Sequence, residues 1–305
     1  MGGDELRGLL SPRRVIEVLE AAFLGASDYA SPARSAVQVR DGELLVMPAV
    51  SSSAFGVKLV TLPHADRDVG VPRVKGVYVL FRGSDLRPVA TFDAAPLTLL
   101  RTAGVSAIAT DRLARSDARR LVLFGAGEQA REHLRFMCEI RPIEVLRVVS
   151  RAPARAQALV ADARALGLDA ACAEPRAVAE ADIVCTCTSS ATPLFDGAWL
   201  RPGTHVNAIG TYHPTARELD ERTILRARVV VESRAAAFAE AGELCLPLAA
   251  GLIDASHVRA DLGELLAGAL VRETQEDVTV LKSVGLGLED LAVAQAAYAA
   301  RAGGP

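Results

Sequence analysis

The chain has 305 residues, half of them hydrophobic and 23% charged, and its formal net charge is -3 at pH 7. This length suffices for two hydrophobic cores, and the interspersed charges give no basic surface for nucleic acid. No apolar stretch is long enough to cross a membrane, and the N-terminus shows no export or anchoring pattern, so we expect a soluble cytoplasmic protein.

The first third of the chain combines a helix with short strands. Ser11 and Pro12 form a helix start, and apolar residues at helical spacing continue the helix towards Gly25. Four runs rich in β-forming residues follow, at 36–39, 43–47, 56–60 and 76–81. Their Gly, Pro and Ser breaks predict a mostly antiparallel region.

Residues 121–130 are the most informative segment, because an apolar run breaks there into Gly-x-Gly-x-x-Ala before a helical pattern. Gly125 permits a tight strand-to-helix turn, and Gly127 lets the backbone approach a pyrophosphate at the helix N-terminus. Ala130 allows close packing of helix and strand. Such a triplet also occurs in ordinary turns, but a second strand at 145–149 completes a βαβ unit. The segment therefore predicts a dinucleotide-binding turn.

The end of the second strand bears on which nicotinamide cofactor binds. NAD-specific sites usually carry Asp or Glu there, whereas this chain has Ser150 and Arg151, with Arg155 one turn later. A hydroxyl and a guanidinium can bind a 2′-phosphate that a carboxylate would repel. NADP(H) is therefore favoured and NAD(H) is the alternative, although both arginines also suit solvated positions around a helix start.

From about residue 113 strands and helices alternate, with further strands at 182–187, 205–209 and 228–232. The alternation predicts a doubly wound, Rossmann-type α/β domain at 113–288. We expect a smaller α+β domain for substrate binding and dimerisation at 1–112, completed by about 289–305. The spacing of Ala and Leu from Leu262 to Arg301 predicts a helical segment that packs on this smaller domain. No cluster of Cys and His completes a zinc set, so no metal is predicted.

Several motifs in order give the chain a family resemblance. They are Arg101–Ala109, the turn Gly125–Ala130, Asn207–Gly210, Pro214–Leu219 and Lys282–Gly285. Over nearly its whole length the chain resembles the ornithine cyclodeaminase/μ-crystallin family. The resemblance implies a Rossmann domain, an N-terminal domain that pairs with its twin in a homodimer, and a catalytic cleft where the nicotinamide meets an amino or imino acid.

The resemblance places the family's carboxylate-binding cations at Arg34, Lys58 and Arg101. An imino acid must be held by its carboxylate so that C2 faces the nicotinamide, and a guanidinium binds a carboxylate bidentately. Lys58 is also a candidate proton donor to the substrate nitrogen. Any one of these cations could instead be solvated, but the apolar neighbours of Lys58 and Arg101 favour a site.

Cofactor contacts come from helix starts and from the carboxyl ends of strands. Thr102 and Ser106 lie on the opening turns of a predicted helix, where a hydroxyl and free N–H groups can meet a pyrophosphate. Val284 resembles a segment that approaches the nicotinamide, and Gly285 one that approaches the substrate, although glycine here also suits a turn. The predicted cofactor-binding residues are Arg73, Arg101, Thr102, Gly125, Gly127, Glu128, Gln129, Ser150, Arg151, Arg155, Thr188, Ala208, Ile209, Gly210 and Val284.

One departure from the family follows the Asn-Ala strand. In ornithine cyclodeaminases this segment carries an aspartate that handles the proton of the side-chain amine, and here Tyr212 takes its place. A phenol with an ordinary pKa of about 10 cannot act as a resting carboxylate base. Tyr212 could donate a hydrogen bond, orient a water or shape the pocket, and His213 could donate a proton or face solvent.

These features favour an NAD(P)H-dependent reductase or dehydrogenase acting on the C2 carbon–nitrogen bond of an amino or imino acid, such as a ketimine reductase. A cyclodeaminase with a variant base is the alternative enzyme. A third hypothesis is a μ-crystallin-like protein that binds NADP(H) and a small ligand. The three carboxylate-binding cations favour catalysis over binding alone.

Overall fold

A computed structural model of the chain describes residues 1–63 and 74–303. The helices are α1 (Gly3–Leu9), α2 (Pro12–Leu24), α3 (Ala94–Leu113), α4 (Glu128–Ile140), α5 (Pro153–Ala165), α6 (Glu221–Arg226), α7 (Arg234–Glu240), α8 (Gly242–Ala249), α9 (Leu262–Leu266) and α10 (Gly287–Arg301). The strands are β1 (Ser35–Val39), β2 (Gly42–Val50), β3 (Ala54–Pro63), β4 (Lys75–Arg82), β5 (Pro88–Asp93), β6 (Arg120–Phe124), β7 (Val145–Val149), β8 (Asp169–Cys172), β9 (Ile183–Thr186), β10 (His205–Ala208), β11 (Arg228–Val231), β12 (Val258–Asp261) and β13 (Thr279–Lys282).

The chain divides into two compact units. The first unit comprises Met1–Gly104 and Leu286–Pro305, and the second comprises Val105–Gly285. One boundary therefore falls inside α3 and the other directly before α10. Over residues 1–63 and 74–303, no helix combines the length and apolar character needed to cross a bilayer.

The first unit contains an antiparallel sheet whose strands follow chain order from β1 to β5. Residues of β2 and β3 alternate between buried and partly exposed positions, as expected for a sheet with one face on a core. Helix α10 packs on β2, β3 and β4 and also contacts α2. The predicted antiparallel region is confirmed, and β5 is a strand that the sequence pattern did not reveal.

Helix α2 shows why the local sequence folds as predicted. The Ser11 hydroxyl accepts a hydrogen bond from the backbone N–H of Arg14, and Pro12 occupies the first turn. Val15, Ile16 and Leu19 are buried along one face of the helix. The cap and the apolar face together account for the start and the orientation of α2.

The second unit is built on a parallel sheet with the strand order β12-β11-β13-β10-β9-β6-β7-β8. Chain order reverses between β6 and β9, which is the topological switch point where nucleotides bind in open α/β sheets. The predicted fold class, a doubly wound α/β domain with a smaller α+β domain, is confirmed.

The prediction of one helical segment from Leu262 to Arg301 is wrong in its central part. Thr279–Lys282 forms β13, a fully buried strand that pairs with β10 and β11. Only α9 and α10 are helical there. A short apolar run buried on both faces of a parallel sheet carries no alternation that would distinguish it from a buried helix. The sequence pattern also missed β8 and β12, the two edge strands of the parallel sheet, each only four residues long.

Candidate active site

The glycine turn after β6 has the geometry that a dinucleotide requires. Gly125 has a φ of 99°, and a β-carbon there would lie 2.5 Å from the carbonyl oxygen of Cys187. Gly127 precedes α4, and a β-carbon built on it would meet no described atom within 4 Å. Space beside this helix N-terminus is therefore open to an anionic group, and the turn fits a pyrophosphate.

The first turn of α4 contains two further predicted cofactor residues. Glu128 is exposed, whereas Gln129 contacts His133 through both its carbonyl and its side-chain amide. The other ring nitrogen of His133 lies 2.9 Å from the Ser106 hydroxyl. Burial lowers the pKa of His133 to about 4, so the ring is neutral at neutral pH. Gln129 is thus held in place beside the turn.

The residues after β7 present cations to solvent. The Ser150 hydroxyl accepts a hydrogen bond of 3.1 Å from the N–H of Ala152. Arg151 and Arg155 are both exposed, and no carboxylate in the described part of the chain forms an ion pair with either. This end of the sheet therefore offers a hydroxyl and two guanidinium groups.

Glu218 organises the carboxyl ends of β9 and β10, and sequence reasoning missed it. Its buried carboxylate accepts hydrogen bonds from both Thr188 groups, the N–H at 3.0 Å and the hydroxyl at 2.6 Å. It also accepts from the Thr186 hydroxyl at 2.7 Å and the Gly210 N–H at 2.8 Å. Burial raises the pKa of Glu218, while Lys282 and the threonine hydroxyls oppose that shift. Glu218 thus fixes Thr188 and Gly210, two predicted cofactor residues.

Lys282 ends β13 and joins the same edge of the sheet. Its ammonium donates to the Thr211 carbonyl at 2.7 Å and hydroxyl at 3.2 Å, and lies 3.1 Å from Glu243. The other oxygen of Glu243 accepts from the Glu218 N–H at 2.8 Å. The predicted residues Ala208, the last of β10, and Ile209, whose N–H bonds to the Thr186 carbonyl, lie at this edge as well.

Val284 and Gly285 follow β13 and are held by Glu232. The Glu232 carboxylate accepts hydrogen bonds from the N–H of Val284 at 3.0 Å and of Gly285 at 2.8 Å. Gly285 has a φ of 82°, which favours glycine over other residues. Because the N–H of Gly285 donates to Glu232, the predicted contact of this residue with the substrate would have to be made by its carbonyl or its Cα.

Tyr212 and His213 stack on each other, with ring centroids 4.4 Å apart. Tyr212 is half-buried and His213 is exposed. The carboxylates of Glu218 and Glu243 are engaged by backbone, threonine and lysine donors. Neither of these two carboxylates thus replaces the aspartate of the cyclodeaminases.

Lys58 and Arg101 meet two carboxylates of α10 in the first unit. The Lys58 ammonium lies 3.0 Å and 2.7 Å from the two oxygens of Asp290. The Arg101 guanidinium lies 2.8 Å from Glu289 and 3.4 Å from Asp290. Lys58 is 2% exposed and Arg101 is 7% exposed. We call Lys58, Arg101, Glu289 and Asp290 the charge cluster, and its two cations balance its two anions.

Burial lowers the pKa of Lys58 to about 8, with Asp290 opposing the shift and Arg101 adding to it. Tyr78 is the cross-strand neighbour of Lys58, and burial followed by the charge of Asp290 raises its pKa. A β-carbon at Gly56 would collide with the Tyr78 hydroxyl. The site thus combines a lysine that loses its proton readily with a guanidinium suited to a carboxylate.

Three predicted residues have a different status. Arg34 directly precedes β1 and is half-buried, and Arg73 lies outside the described residues. The prediction that Thr102 and Ser106 lie on the opening turns of their helix is wrong. Helix α3 begins at Ala94, so both residues lie inside it, and hydrogen bonds of the helix use their N–H groups. For Thr102 only the side-chain hydroxyl remains as a cofactor contact. Within the described ranges, no group of three or more His, Cys, Asp or Glu side chains could hold a metal ion.

Comparisons with known proteins extend over nearly the whole chain. Residues 5–304 match the model of the Ornithine cyclodeaminase/mu-crystallin family. A Δ1-pyrroline-2-carboxylate reductase of Bacillus cereus is 33% identical over 98% of this chain and 95% of its own length. The mouse ketimine reductase mu-crystallin is 34% identical over 97% of this chain and 93% of its own length.

A solved structure is similar over the same extent. It is a Δ1-pyrroline-2-carboxylate reductase of Thermococcus litoralis in complex with NADH and L-proline. Its TM-score is 0.95 and its identity 33%, and the match covers 99% of this chain and 97% of that one. The family predicted from the sequence motifs is confirmed.

Proposed function

Because this chain belongs to the ornithine cyclodeaminase/mu-crystallin family, we propose that it is an NAD(P)H-dependent reductase of imino acids. The charge cluster carries the proposal, since it places a buried guanidinium next to a buried lysine whose pKa is lowered to about 8. These are the groups needed to hold a carboxylate and to protonate a neighbouring nitrogen. The reductase names of the bacterial and mouse relatives support the same reaction class.

The proposed substrate is a cyclic imino acid whose C=N bond adjoins a carboxylate. Δ1-pyrroline-2-carboxylate is the first candidate, because the relative from Bacillus cereus carries that name. The structure from Thermococcus litoralis contains L-proline, the corresponding reduced product. Reduction adds a hydride to C2 and a proton to the ring nitrogen, so the C=N bond becomes a CH–NH bond while the nicotinamide is oxidised.

The chain's own residues would act in three ways. Arg101, together with Arg34, binds the substrate carboxylate and fixes the direction in which C2 points. Lys58 adds a second positive charge and donates the proton that the nitrogen requires. The bound nicotinamide supplies the hydride. At pH 7 Lys58 is still protonated, yet it releases its proton more readily than a solvated lysine of pKa about 10.4.

The direct test is cofactor consumption. The purified protein should oxidise NADPH or NADH in the presence of Δ1-pyrroline-2-carboxylate and form proline. A binding protein would quench nicotinamide fluorescence without consuming the cofactor. Quenching without turnover across a panel of cyclic imino acids would therefore reject the enzyme in favour of the binding hypothesis.

Ornithine distinguishes the reductase from a cyclodeaminase. We expect no proline or ammonia from ornithine with catalytic amounts of cofactor, because Tyr212 occupies the place of the family's proton-handling aspartate. Tyr212→Phe should lower imine reduction by less than about a hundredfold, since the hydroxyl would only orient another group. Proline formation from ornithine by the unmodified protein would contradict the reductase assignment.

For the cofactor, we propose a preference for NADPH over NADH. It is supported by Ser150 and by the exposed guanidinium groups of Arg151 and Arg155. Loss of one charged hydrogen bond costs about 1.5–3 kcal/mol, so Arg151→Ala should weaken NADPH binding roughly 10- to 100-fold and leave NADH binding nearly unchanged. Arg259→Ala, which removes an exposed charge from β12, is the matched control. Equal affinity of the unmodified protein for both cofactors would contradict this preference.

We also propose that the protein is a cytoplasmic homodimer. β1 is an edge strand on which Val37 and Val39 are 52% and 48% exposed, and an exposed apolar edge favours pairing with another strand. All five cysteines are free, as expected in a reducing compartment. Sedimentation should give twice the chain mass of 32.1 kDa, and Val37→Asp with Val39→Asp should give the monomer.

A further inference from the structure

The two carboxylates of the charge cluster neither bind the substrate nor donate a proton in the proposed reaction. Glu289 and Asp290 are consecutive residues in the first turn of α10, and both are fully buried. They differ in their contacts. Both oxygens of Asp290 face the Lys58 ammonium, whereas Glu289 bonds to Arg101 and to the N–H of Leu286 at 3.0 Å.

Burial penalises the charged form of a lysine, and an adjacent anion offsets that penalty. Arg101 lies next to the same carboxylate and disfavours a second positive charge there. Without Asp290, the ammonium of Lys58 would have lost its nearest anion and its hydrogen-bond acceptor. A lysine that is neutral before the reaction begins has no proton to give to a substrate.

We infer that Asp290 is a positioning residue for imine reduction, which fixes the ammonium of Lys58 and maintains it in the protonated form from which the substrate nitrogen receives its proton. This inference rests on the proposed function. An ammonium has three N–H donors, and within the described residues that of Lys58 contacts only the two oxygens of Asp290. At least one donor is therefore left for a ligand.

The other groups that face Lys58 act more weakly or in the opposite direction. Arg101 on α3 lowers the pKa of Lys58, and Glu289 on α10 raises it less than Asp290 does. Tyr78 on β4 is neutral at physiological pH because burial raises its pKa. Asp290 is thus the main support of the charged form, and Glu289 is a matched control on the same helical turn.

A titration of Lys58 tests the inference without relying on activity. The sequence contains only three lysines, Lys58, Lys75 and Lys282, so lysine labelled at the ε-carbon gives three NMR signals. The signal of Lys58 should titrate near pH 8 in the unmodified protein. In Asp290→Asn its pKa should fall by roughly one unit or more, as expected for loss of a contacting opposite charge. In Glu289→Gln the fall should be smaller.

The pH profile of reduction gives the functional readout. The basic limb of kcat/KM should lie near pH 8 in the unmodified enzyme and should move to lower pH by the same amount as the NMR titration in Asp290→Asn. At pH 8 the variant should lose at least about fivefold in kcat/KM and recover part of it on acidification. Because the imine's own titration is common to all variants, the difference between profiles reports the enzyme.

Asp290→Glu covers the case in which the asparagine variant does not fold. It retains the charge, so its basic limb should stay within about half a unit of the unmodified enzyme while kcat falls because the longer side chain shifts the ammonium. An unmoved Lys58 titration in Asp290→Asn, or a limb in Asp290→Glu displaced as far as in Asp290→Asn, would overturn the inference. Failure of the unmodified protein to reduce any imine would overturn the proposed function and leave the NMR result to decide about Asp290.

Discussion

Each of the two units contains one buried lysine that contacts a carboxylate, and the two lysines have different surroundings. Lys282 in the second unit has three oxygen partners, the carbonyl and hydroxyl of Thr211 and a carboxylate oxygen of Glu243, at 2.7 to 3.2 Å. Lys58 in the first unit contacts only Asp290 among the described residues and lies beside Arg101.

We infer from this difference that Lys282 is structural and that Lys58 is the reactive lysine. Lys282 makes two hydrogen bonds to Thr211 and an ion pair with Glu243, and so fixes the loop at Thr211. Lys58 has a donor to spare, a neighbouring cation and a lowered pKa. Burial alone therefore does not mark a catalytic lysine. We infer a reactive role for Lys58 from the nearby like charge and the lowered pKa together.

The largest effect is expected from removing the ammonium of Lys58. Lys58→Met should lower kcat/KM about 10²- to 10⁴-fold and also destabilise the protein by about 3–5 kcal/mol, because the two buried carboxylates of the charge cluster are left with Arg101 as their one cation within it. In the double variant Lys58→Met/Asp290→Leu the unfolding free energy should recover in part, but activity should not. Activity and denaturant unfolding are measured on the same samples.

Lys282 provides the matched comparison. Lys282→Met should be destabilising by a similar amount, and its loss of activity should follow the fraction of unfolded protein. Lys282→Met/Glu243→Gln, which keeps an oxygen for the Glu218 N–H, should therefore regain activity as it regains stability. If Lys58→Met/Asp290→Leu also regained activity, Lys58 would be needed only for stability, like Lys282.

Arg101→Lys should have an intermediate effect. The substitution retains the positive charge beside Asp290 but removes the planar pair of donors that binds a carboxylate bidentately. We expect KM for the imino acid to rise roughly 10- to 100-fold with a smaller change in kcat. Arg112→Lys, at the exposed C-terminal end of the same helix, is the control. A large fall in kcat with an unchanged KM would show that Arg101 acts elsewhere than on the substrate carboxylate.

A smaller effect on stability is expected when the pH is lowered. Burial lowers the pKa values of His133 and His205 in the second unit to about 4 and about 3. Unfolded histidine has a pKa of about 6.5, so their contribution to stability is complete above pH 6.5 and is lost as pH falls towards 4. Each histidine should cost roughly 2 kcal/mol of unfolding free energy at pH 5.

Hydrogen exchange would locate this acid sensitivity. His133 and His205 both lie in the second unit, so protection factors at pH 5 should fall first there. His133→Gln should flatten the dependence of stability on pH. Equal loss of protection in both units would contradict the assignment to the buried histidines.

The parts of the candidate site that could be predicted from sequence are those that depend on residues adjacent to one another in the chain. The turn at Gly125–Ala130 and the cations Lys58 and Arg101 each have a local signature. The partners of those cations do not, because Asp290 and Glu289 lie 232 and 188 residues away along the chain. Two adjacent acids in the otherwise apolar start of α10 were the one available signal. Glu218 and β13 likewise depend on tertiary pairing that no local pattern shows.

The most direct measurement is the fate of the hydride. With Δ1-pyrroline-2-carboxylate and NADPH or NADH deuterated on the transferring face of nicotinamide C4, the protein should form proline carrying one deuterium at C2. The same label should appear at C2 at any pH at which Lys58 retains its proton. Absence of proline, or proline without deuterium at C2, would contradict reduction of the imine at this carbon.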